Sequence, residues 1–294
     1  MGYTFRNYKL LSDFEKVNQF LRRNFTKYGL NGNAPQPSWE YTHTHPGFNH
    51  HLAHRFGIWE ENSEIIGIAS YEMDLGECFL WTKIGKEALK KEMLEYAEKK
   101  LFSISEIEKK LDVLIFDYEK KLRNLLLQKK YEMKNSEPIT VYDYHKGFNE
   151  IKLPEGFSLI SLEDENDIGK IHSVLWKGFN HGDNPDNDID CRIQMQTGPN
   201  FRKDLTVVAK APNGEYACFA GMWIDEVNHY AYLEPLATDP KYRKLGLASA
   251  VLTESMKRTA QFGAEYCFGG PVGFYEKIGF RVVCHREHWV KIWE

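Results

Sequence analysis

A chain of 294 residues, 42% hydrophobic, 14% aromatic and 27% charged, can bury a real core and is long enough for two domains at roughly 150 residues each. Disorder, collagen and coiled coil are poor descriptions of such a composition. With Lys+Arg 38 against Asp+Glu 42 the net charge is -4, a surface with no field for gathering phosphodiester backbones, so no nucleic-acid partner is expected.

No apolar run approaches the roughly 20 residues that span a bilayer, and the opening Met1-Gly2-Tyr3-Thr4-Phe5-Arg6 lacks the apolar stretch of a signal peptide. The expectation is a cytoplasmic protein with no membrane partner. Cys78, Cys191, Cys218, Cys267 and Cys284 are odd in number and far apart, with no C-x-x-C pair, which argues against a disulfide framework or a zinc ribbon.

In chain order, the pattern at 11–21 predicts a helix capped by Ser12 or Asp13, and residues 29–49, rich in Gly, Asn, Pro and His, read as a loop. Apolar runs at 55–60 and 64–71 around Glu61-Asn62-Ser63 predict a hairpin, followed by a short strand at 77–81. A helix at 86–102, a strand at 112–116, a helix at 119–129 and a strand at 139–142 complete the first half. From Leu153-Pro154-Glu155-Gly156 the same order begins again: a strand at 157–160, a helix at 163–179 capped near Ser161, and strands at 206–210, 217–224 and 230–238. A helix at 247–262, a strand at 265–268, a short helix at 274–278 and two closing strands at 280–284 and 288–292 follow. The repeated order implies an α/β protein built by duplication of one mixed unit, with halves 1–150 and 151–294.

The chemistry concentrates after the strand ending at Thr238. A Pro-marked turn leads through Arg243-Lys244-Leu245-Gly246-Leu247-Ala248, an R-x-x-G-x-A loop, into a helix running through Val251, Leu252 and Met256. Several backbone N–H groups and the positive end of the helix dipole then converge on one spot, which suits phosphate oxygens. Gly246 and Ala248 lack bulk, and Arg243 and Lys244 add charge at the rim. Alone, the loop is equally an ordinary strand-turn-helix corner. About thirty residues on, however, comes Gly273-Phe274-Tyr275-Glu276-Lys277-Ile278-Gly279-Phe280, followed by a strand.

Those segments, in that order and spacing, resemble motifs A and B of the GNAT superfamily of acetyl-CoA-dependent N-acetyltransferases, over roughly residues 157–294. The resemblance implies two GNAT-like mixed-sheet domains in tandem, with helices on both faces of each sheet. It implies that the backbone of Leu245, Gly246, Leu247 and Ala248, with Ser249, cradles the pyrophosphate of coenzyme A. Leu236, Ala237 and Thr238 would lie along the pantetheine, and acetyl-CoA would serve as co-substrate without a metal. Arg243 matches the first loop position. Tyr275 takes the place of the usual general acid, or else packs as an aromatic under the helix.

Acyl transfer requires a neutral amine and a proton for the leaving thiolate, whose conjugate acid has a pKa near 8.5. Glu234 is the carboxylate nearest the cofactor strand, and a period of two puts it on the face of Leu236 and Thr238, as a candidate base or a structural carboxylate. In the connection at 179–190, Asp183, Asp186, Asp188 and Asp190 could attract a cationic amine or simply line a solvated loop. His43, His45, His50, His51 and His54 cluster, but with few carboxylates nearby they suit packing better than a metal.

In the first half the counterpart of the loop reads Thr82-Lys83-Ile84-Gly85-Lys86-Glu87, without the Arg or the second small residue, and Lys130-Tyr131 stands where the second half has Gly279-Phe280. This half reads as a degenerate GNAT-like repeat that has lost cofactor binding and shapes the acceptor cleft or a homodimer. The function expected is direct acetyl transfer to a primary amine on a small molecule or a protein. The alternative is an acyl-CoA sensor without turnover.

Overall fold

The computed structural model describes residues 2–105 and 108–293. The first half contributes strands β1 (Thr4–Asn7), β2 (Gly57–Glu61), β3 (Glu64–Ser70), β4 (Glu77–Thr82), β5 (Ser103–Ile104), β6 (Lys109–Phe116) and β7 (Glu132–Asp143). Its helices are α1 (Leu10–Arg23), α2 (Gln36–Thr44), α3 (Lys90–Lys100) and α4 (Lys120–Gln128). The second half adds β8 (Ser158–Ser161), β9 (Val207–Lys210), β10 (Tyr216–Asp225), β11 (Tyr230–Thr238), β12 (Tyr266–Gly269) and β13 (Arg281–Trp293). Its helices are α5 (Ile168–Gly178), α6 (Asp190–Gln194), α7 (Leu247–Ala260) and α8 (Phe274–Lys277). Among the described residues no helix is long and apolar enough to cross a membrane.

Two compact units result, and they differ from the 1–150 and 151–294 halves read from sequence. One holds the chain through His43, Gly47–Ile139 and everything from Val282 on; the other holds Thr44–Pro46 and Thr140–Arg281. In the first, strands run β1-β2-β3-β4-β6-β13, every neighbouring pair antiparallel except the parallel β4 and β6. The second runs β8-β9-β10-β11-β12 and then residues 140–143 of β7, again antiparallel except for the parallel β11 and β12. Strand directions and helix placement thus repeat, which is the duplication expected from element order. Each unit's last strand is supplied by chain that follows the other unit's last helix.

The two closing strands expected at 280–284 and 288–292 are one continuous strand, β13, because no turn residue interrupts it and Arg286 to Trp293 pair without a break along β6. Trp289 of β13 is buried in the first unit's core, where its Nε1 donates to Glu287 Oε2 at 2.9 Å. Trp289→Ala is expected to cost about 3–5 kcal/mol of stability. Denaturant unfolding of the variant checks this, and an unchanged midpoint would remove β13 from the first unit's core.

Other boundaries moved for local reasons. The loop expected at 29–49 contains α2, hidden from a periodicity reading because it buries polar Gln36 and Glu40 as well as Trp39. Gln36 Nε2 donates to Asn18 Oδ1 at 2.8 Å and to Glu40 Oε2 at 3.1 Å, so these polar groups are buried with partners. Helix α1 starts earlier than Ser12: Asp13 is buried, accepts from Lys9 N at 2.8 Å and is clasped by Arg6. Helix α5 starts later than 163, because the cap is Asp167, which accepts from Lys170 N, while Ser161 and Asp164 close a separate turn.

Candidate active site

The second unit's site is built on a break in β-sheet pairing. Strand β11 pairs with β12 from Tyr230↔Tyr266 to Tyr232↔Phe268, and β12 ends at Gly269, so residues 233–238 run on beyond its register. On the other side the register jumps: Ala220 faces Leu236 but Met222 faces Leu233. One residue, Gly221, therefore opposes Glu234 and Pro235, a bulge that bends β11 away from its parallel neighbour. Only glycine fits there, since an added Cβ at Gly221 would lie 2.5 Å from Glu234 O and 2.8 Å from Pro235 Cδ.

The bulge also corrects the period-two reading of Glu234. Leu233 and Leu236 both join the core face with Ala220 and Met222, three positions apart, so strict alternation does not carry from Thr238 back to Glu234. The carboxylate nevertheless lies within electrostatic reach of Tyr275, whose pKa it raises.

Beyond β11 the chain turns at Asp239, whose Oδ1 accepts from Lys241 N at 2.9 Å. Tyr242 is buried under the loop and donates to Glu215 Oε2 at 2.6 Å, while Phe157 meets its ring edge-on. Lys244 at φ 66 and Gly246 at φ 80 then fold the backbone tightly into α7. Gly246 is the N-cap, and an added Cβ there would meet nothing within 4 Å, so this glycine serves conformation and leaves the space over the loop open. Ala250 N takes Gly246 O at 3.1 Å as the helix begins. The N–H groups ahead of it, at Leu247, Ala248 and Ser249, have no acceptor one helical turn earlier and point with the helix dipole toward that space. Lys244 and Leu245 are exposed beside it.

Arg243 is placed differently from the rim position expected. Its Nε donates to Thr238 O at 3.3 Å, and its Nη2 donates to Gly178 O and Asn180 Oδ1, each at 3.0 Å. Thr238 Oγ1 lies 3.1 Å from Cys218 Sγ, and Ala237 is packed beneath Gly178.

Tyr275 sits in the short α8, led in by Gly273 at φ 94. Its ring lies on the backbone of Gly269 and Gly270, where added Cβ atoms would approach it to 2.8 Å and 2.6 Å, and Phe280, also against Gly269, meets it edge-on at a centroid distance of 5.2 Å. Gly270 is held in turn by Thr140 Oγ1, which donates to its carbonyl at 2.7 Å. Burial first, then the charge of Glu234, pushes the Tyr275 phenol well above its ordinary value, so it keeps its proton throughout the neutral range. Cys267, which also acts on the Tyr275 phenol, is buried with its thiol pushed up by burial.

A protonated phenol near a carboxylate, at the mouth of a splayed strand that ends in a glycine-capped helix, is an arrangement suited to acyl transfer from a phosphorylated donor. Residues 202–282 match the family model of the acetyltransferase (GNAT) domain. The stretch that matches, within the second half, is a GNAT domain by that model. In structure, the whole chain is similar to a GCN5-related N-acetyltransferase from Sphaerobacter thermophilus, with a TM-score of 0.66 at 12% identity over 99% of this chain and 95% of that one. A tandem GNAT protein from the clavulanic acid biosynthesis pathway gives 0.63 at 11% identity, over 99% and 98%. A GNAT-family acetyltransferase from Colwellia psychrerythraea gives 0.59 at 12% identity, over 98% of each chain. These likenesses bear on the fold, which is that of GNAT proteins, tandem ones included. No curated protein matches the chain in sequence.

The corresponding place in the first unit is filled by the chain itself. Asn33 accepts from Thr82 N and donates to Thr82 O, both at 3.0 Å, so its side-chain amide pairs with the end of β4 where the GNAT domain leaves β11 open. A buried Lys90–Glu119 ion pair lies against Gly32, whose added Cβ would come within 2.9 Å of both residues. Lys130 at φ 64 and Gly279 at φ 109 end α4 and α8 alike, and Tyr131 N and Phe280 N bond back to Leu126 O and Tyr275 O. Leu126 therefore occupies the first unit's counterpart of Tyr275.

Of the clustered histidines His43 is buried in packing, whereas His50, His51 and His54 are exposed. In the first unit, His43 Nδ1 lies 2.9 Å from Trp39 O and its Nε2 lies 3.3 Å from Tyr8 OH, while His50 Nε2 lies 2.9 Å from His43 O. Burial lowers the His43 pKa to about 4, so it stays neutral. Among the described residues no group of His, Cys, Asp and Glu is arranged to hold a metal. In the acidic connection, Asp186 Oδ1 accepts from Asp188 N and faces buried His172 Nε2 at 3.2 Å, and Asp183, Asp186, Asp188 and Asp190 are all exposed. Sequence reading missed Gly221, Gly270 and Tyr242; the doublet Gly269-Gly270 directly after a strand was the one available signal, since it leaves room for a ring.

Proposed function

We propose that the GNAT domain transfers an acetyl group directly from acetyl-CoA to a primary amine. The observation that carries this reading is the pairing of an open, glycine-capped helix start at Gly246 with a Tyr275 phenol held protonated beside Glu234. Backbone N–H groups of 245–249 would hold the pyrophosphate, with Lys244 adding charge, and the open edge at 236–238 would lie along the pantetheine amides. Glu234 would take a proton from the ammonium form of the acceptor, directly or through water, because only the neutral amine attacks. As the C–N bond forms and the thioester C–S bond breaks, Tyr275 would give its proton to the departing thiolate. A backbone N–H near Thr238 would face the oxyanion. Direct transfer needs no acyl-enzyme intermediate.

In the same reading the first unit is a repeat that has given up cofactor binding: Asn33 pairs with the strand end, and Leu126 has no proton to donate at the place of Tyr275. The exposed aspartates at 183, 188 and 190 favour a cationic acceptor.

The test is thiol release from acetyl-CoA with a panel of amines comprising polyamines, amino sugars, amino acids and lysine peptides. Acetylated product from at least one amine is expected. Binding of acetyl-CoA without thiol release across the panel would favour the sensor reading.

Gly270→Ala is expected to tilt the Tyr275 ring out of place, lowering turnover about 10- to 100-fold while acetyl-CoA affinity is retained, since acid catalysis contributes on this scale or above. Steady-state rates and calorimetry on the same preparation check it; unchanged turnover would mean that Tyr275 is not held by that glycine.

A further inference from the structure

We infer that Arg243 is a positioning residue: its guanidinium clamps the segment following α5 to the end of β11, and its charge is not what holds the donor's phosphates. The inference rests on the acyltransferase reading for its functional consequence only.

Helix α5 closes with Asn180 in the left-handed region at φ 62, and its last turn presents Gly178 O and Asn180 Oδ1 to one side. The carbonyl end of a helix attracts a cation. Arg243 places Nη2 against both of those acceptors at 3.0 Å and Nε against Thr238 O at 3.3 Å. One planar fork thus joins the last residue of the cofactor strand to the first residues of the acidic connection. Shape reinforces this join, because an added Cβ at Gly178 would lie 2.8 Å from Ala237 Cβ and 3.1 Å from Thr238 N. Lys177 Nζ adds a longer contact to Asp239 Oδ2 at 3.8 Å.

The loop backbone has a separate anchor. Tyr242 reaches Glu215 at 2.6 Å and Asn213 at 3.2 Å, Lys241 Nζ reaches Glu215 at 3.2 Å, and Asp239 closes the turn. Removing Arg243 therefore leaves the curve from Lys244 to Gly246 supported, while the turn at 178–180 loses both of its ties to that guanidinium. A lysine cannot replace the fork, since it carries the charge as a single point and cannot span acceptors from two elements in a plane.

The experiment compares Arg243→Lys, which keeps the charge, with Arg243→Ala, which removes it, and with Asn180→Gly, which keeps the left-handed backbone and removes one acceptor. Backbone amide hydrogen exchange is followed in the unliganded chain, and coenzyme A affinity is measured by calorimetry. The clamp predicts exchange at 179–183 faster by about tenfold or more in both Arg243 variants, and faster to a lesser degree in Asn180→Gly. It predicts coenzyme A affinity within about threefold of the parent in Arg243→Lys and Arg243→Ala alike. Exchange unchanged in both Arg243 variants overturns the inference. So does an affinity that falls about tenfold in Arg243→Ala and is restored in Arg243→Lys. A parent that binds no coenzyme A would instead remove the acyltransferase reading, and the exchange comparison would still decide whether Arg243 is a clamp.

Discussion

Tyr275→Phe is expected to lower turnover about 10²- to 10⁴-fold with acetyl-CoA affinity essentially unchanged, the range over which a positioned acid contributes. The phenylalanine keeps the ring against Gly269, Gly270 and Phe280 and removes only the hydroxyl. Folding and donor binding should therefore survive, and the loss should lie in the chemical step. The direction of the Tyr275 shift adds a pH signature. Because burial and Glu234 raise its pKa, the proton is present below the ordinary phenol value of about 10 and is lost only well above it. In the parent, Tyr275 should therefore cause no alkaline fall in turnover up to pH 11, and a fall near the ordinary phenol value that disappears in Tyr275→Phe would contradict the shift. Rates from pH 6 to pH 11, with single-turnover measurements to isolate chemistry, decide the matter. A variant that retains most of its turnover would hand the acid's role to water or to another residue.

Gly246→Asp is expected to weaken acetyl-CoA binding about 100-fold or more, equivalent to about 2.7 kcal/mol. At φ 80 most side chains are strained, but Asn and Asp enter the left-handed region more readily than others. The variant should therefore fold, and the open space over Gly246 lets the new carboxylate stand where a pyrophosphate would approach. Two anions then compete for one set of N–H groups, and the aspartate itself caps the helix start. Gly246→Asn is the control: it has the same shape and strain without the charge, and it should bind between the parent and the aspartate variant. Calorimetric titration of all three gives the order directly. Equal affinity in the parent and Gly246→Asp would place the donor's phosphates elsewhere.

Much of the GNAT half was legible because its local signals agree with its tertiary structure. Strand β11 and the start of α7 fall where the apolar run, Pro240 and Gly246 put them, and α8 follows Gly273 as read. What escaped has a common cause in long-range contact. The bulge at Gly221 is set by Glu234 and Pro235 on the facing strand, and nothing within β10 announces it. Arg243 read as rim charge because its acceptors at Gly178 and Asn180 lie some sixty residues earlier in the chain. Helix α2 escaped because its buried polar side chains erase the amphipathic stripe, and β1 because four residues give too short a pattern. The membership of β13 in the first unit was also invisible, since pairing with β6 is specified across most of the chain.

The first unit's fate follows from the same comparison of equivalent places. Asn33 pairs with Thr82 in the position of the open strand end, Lys90 and Glu119 pair against Gly32, and Leu126 stands for Tyr275. These features leave one donor site per chain in the proposed account.

Calorimetric titration of the unmodified chain with acetyl-CoA tests this account most directly. One molecule bound per chain, with the heat abolished in Gly246→Asp, is the result it predicts. No uptake, or uptake of two molecules per chain, would contradict it.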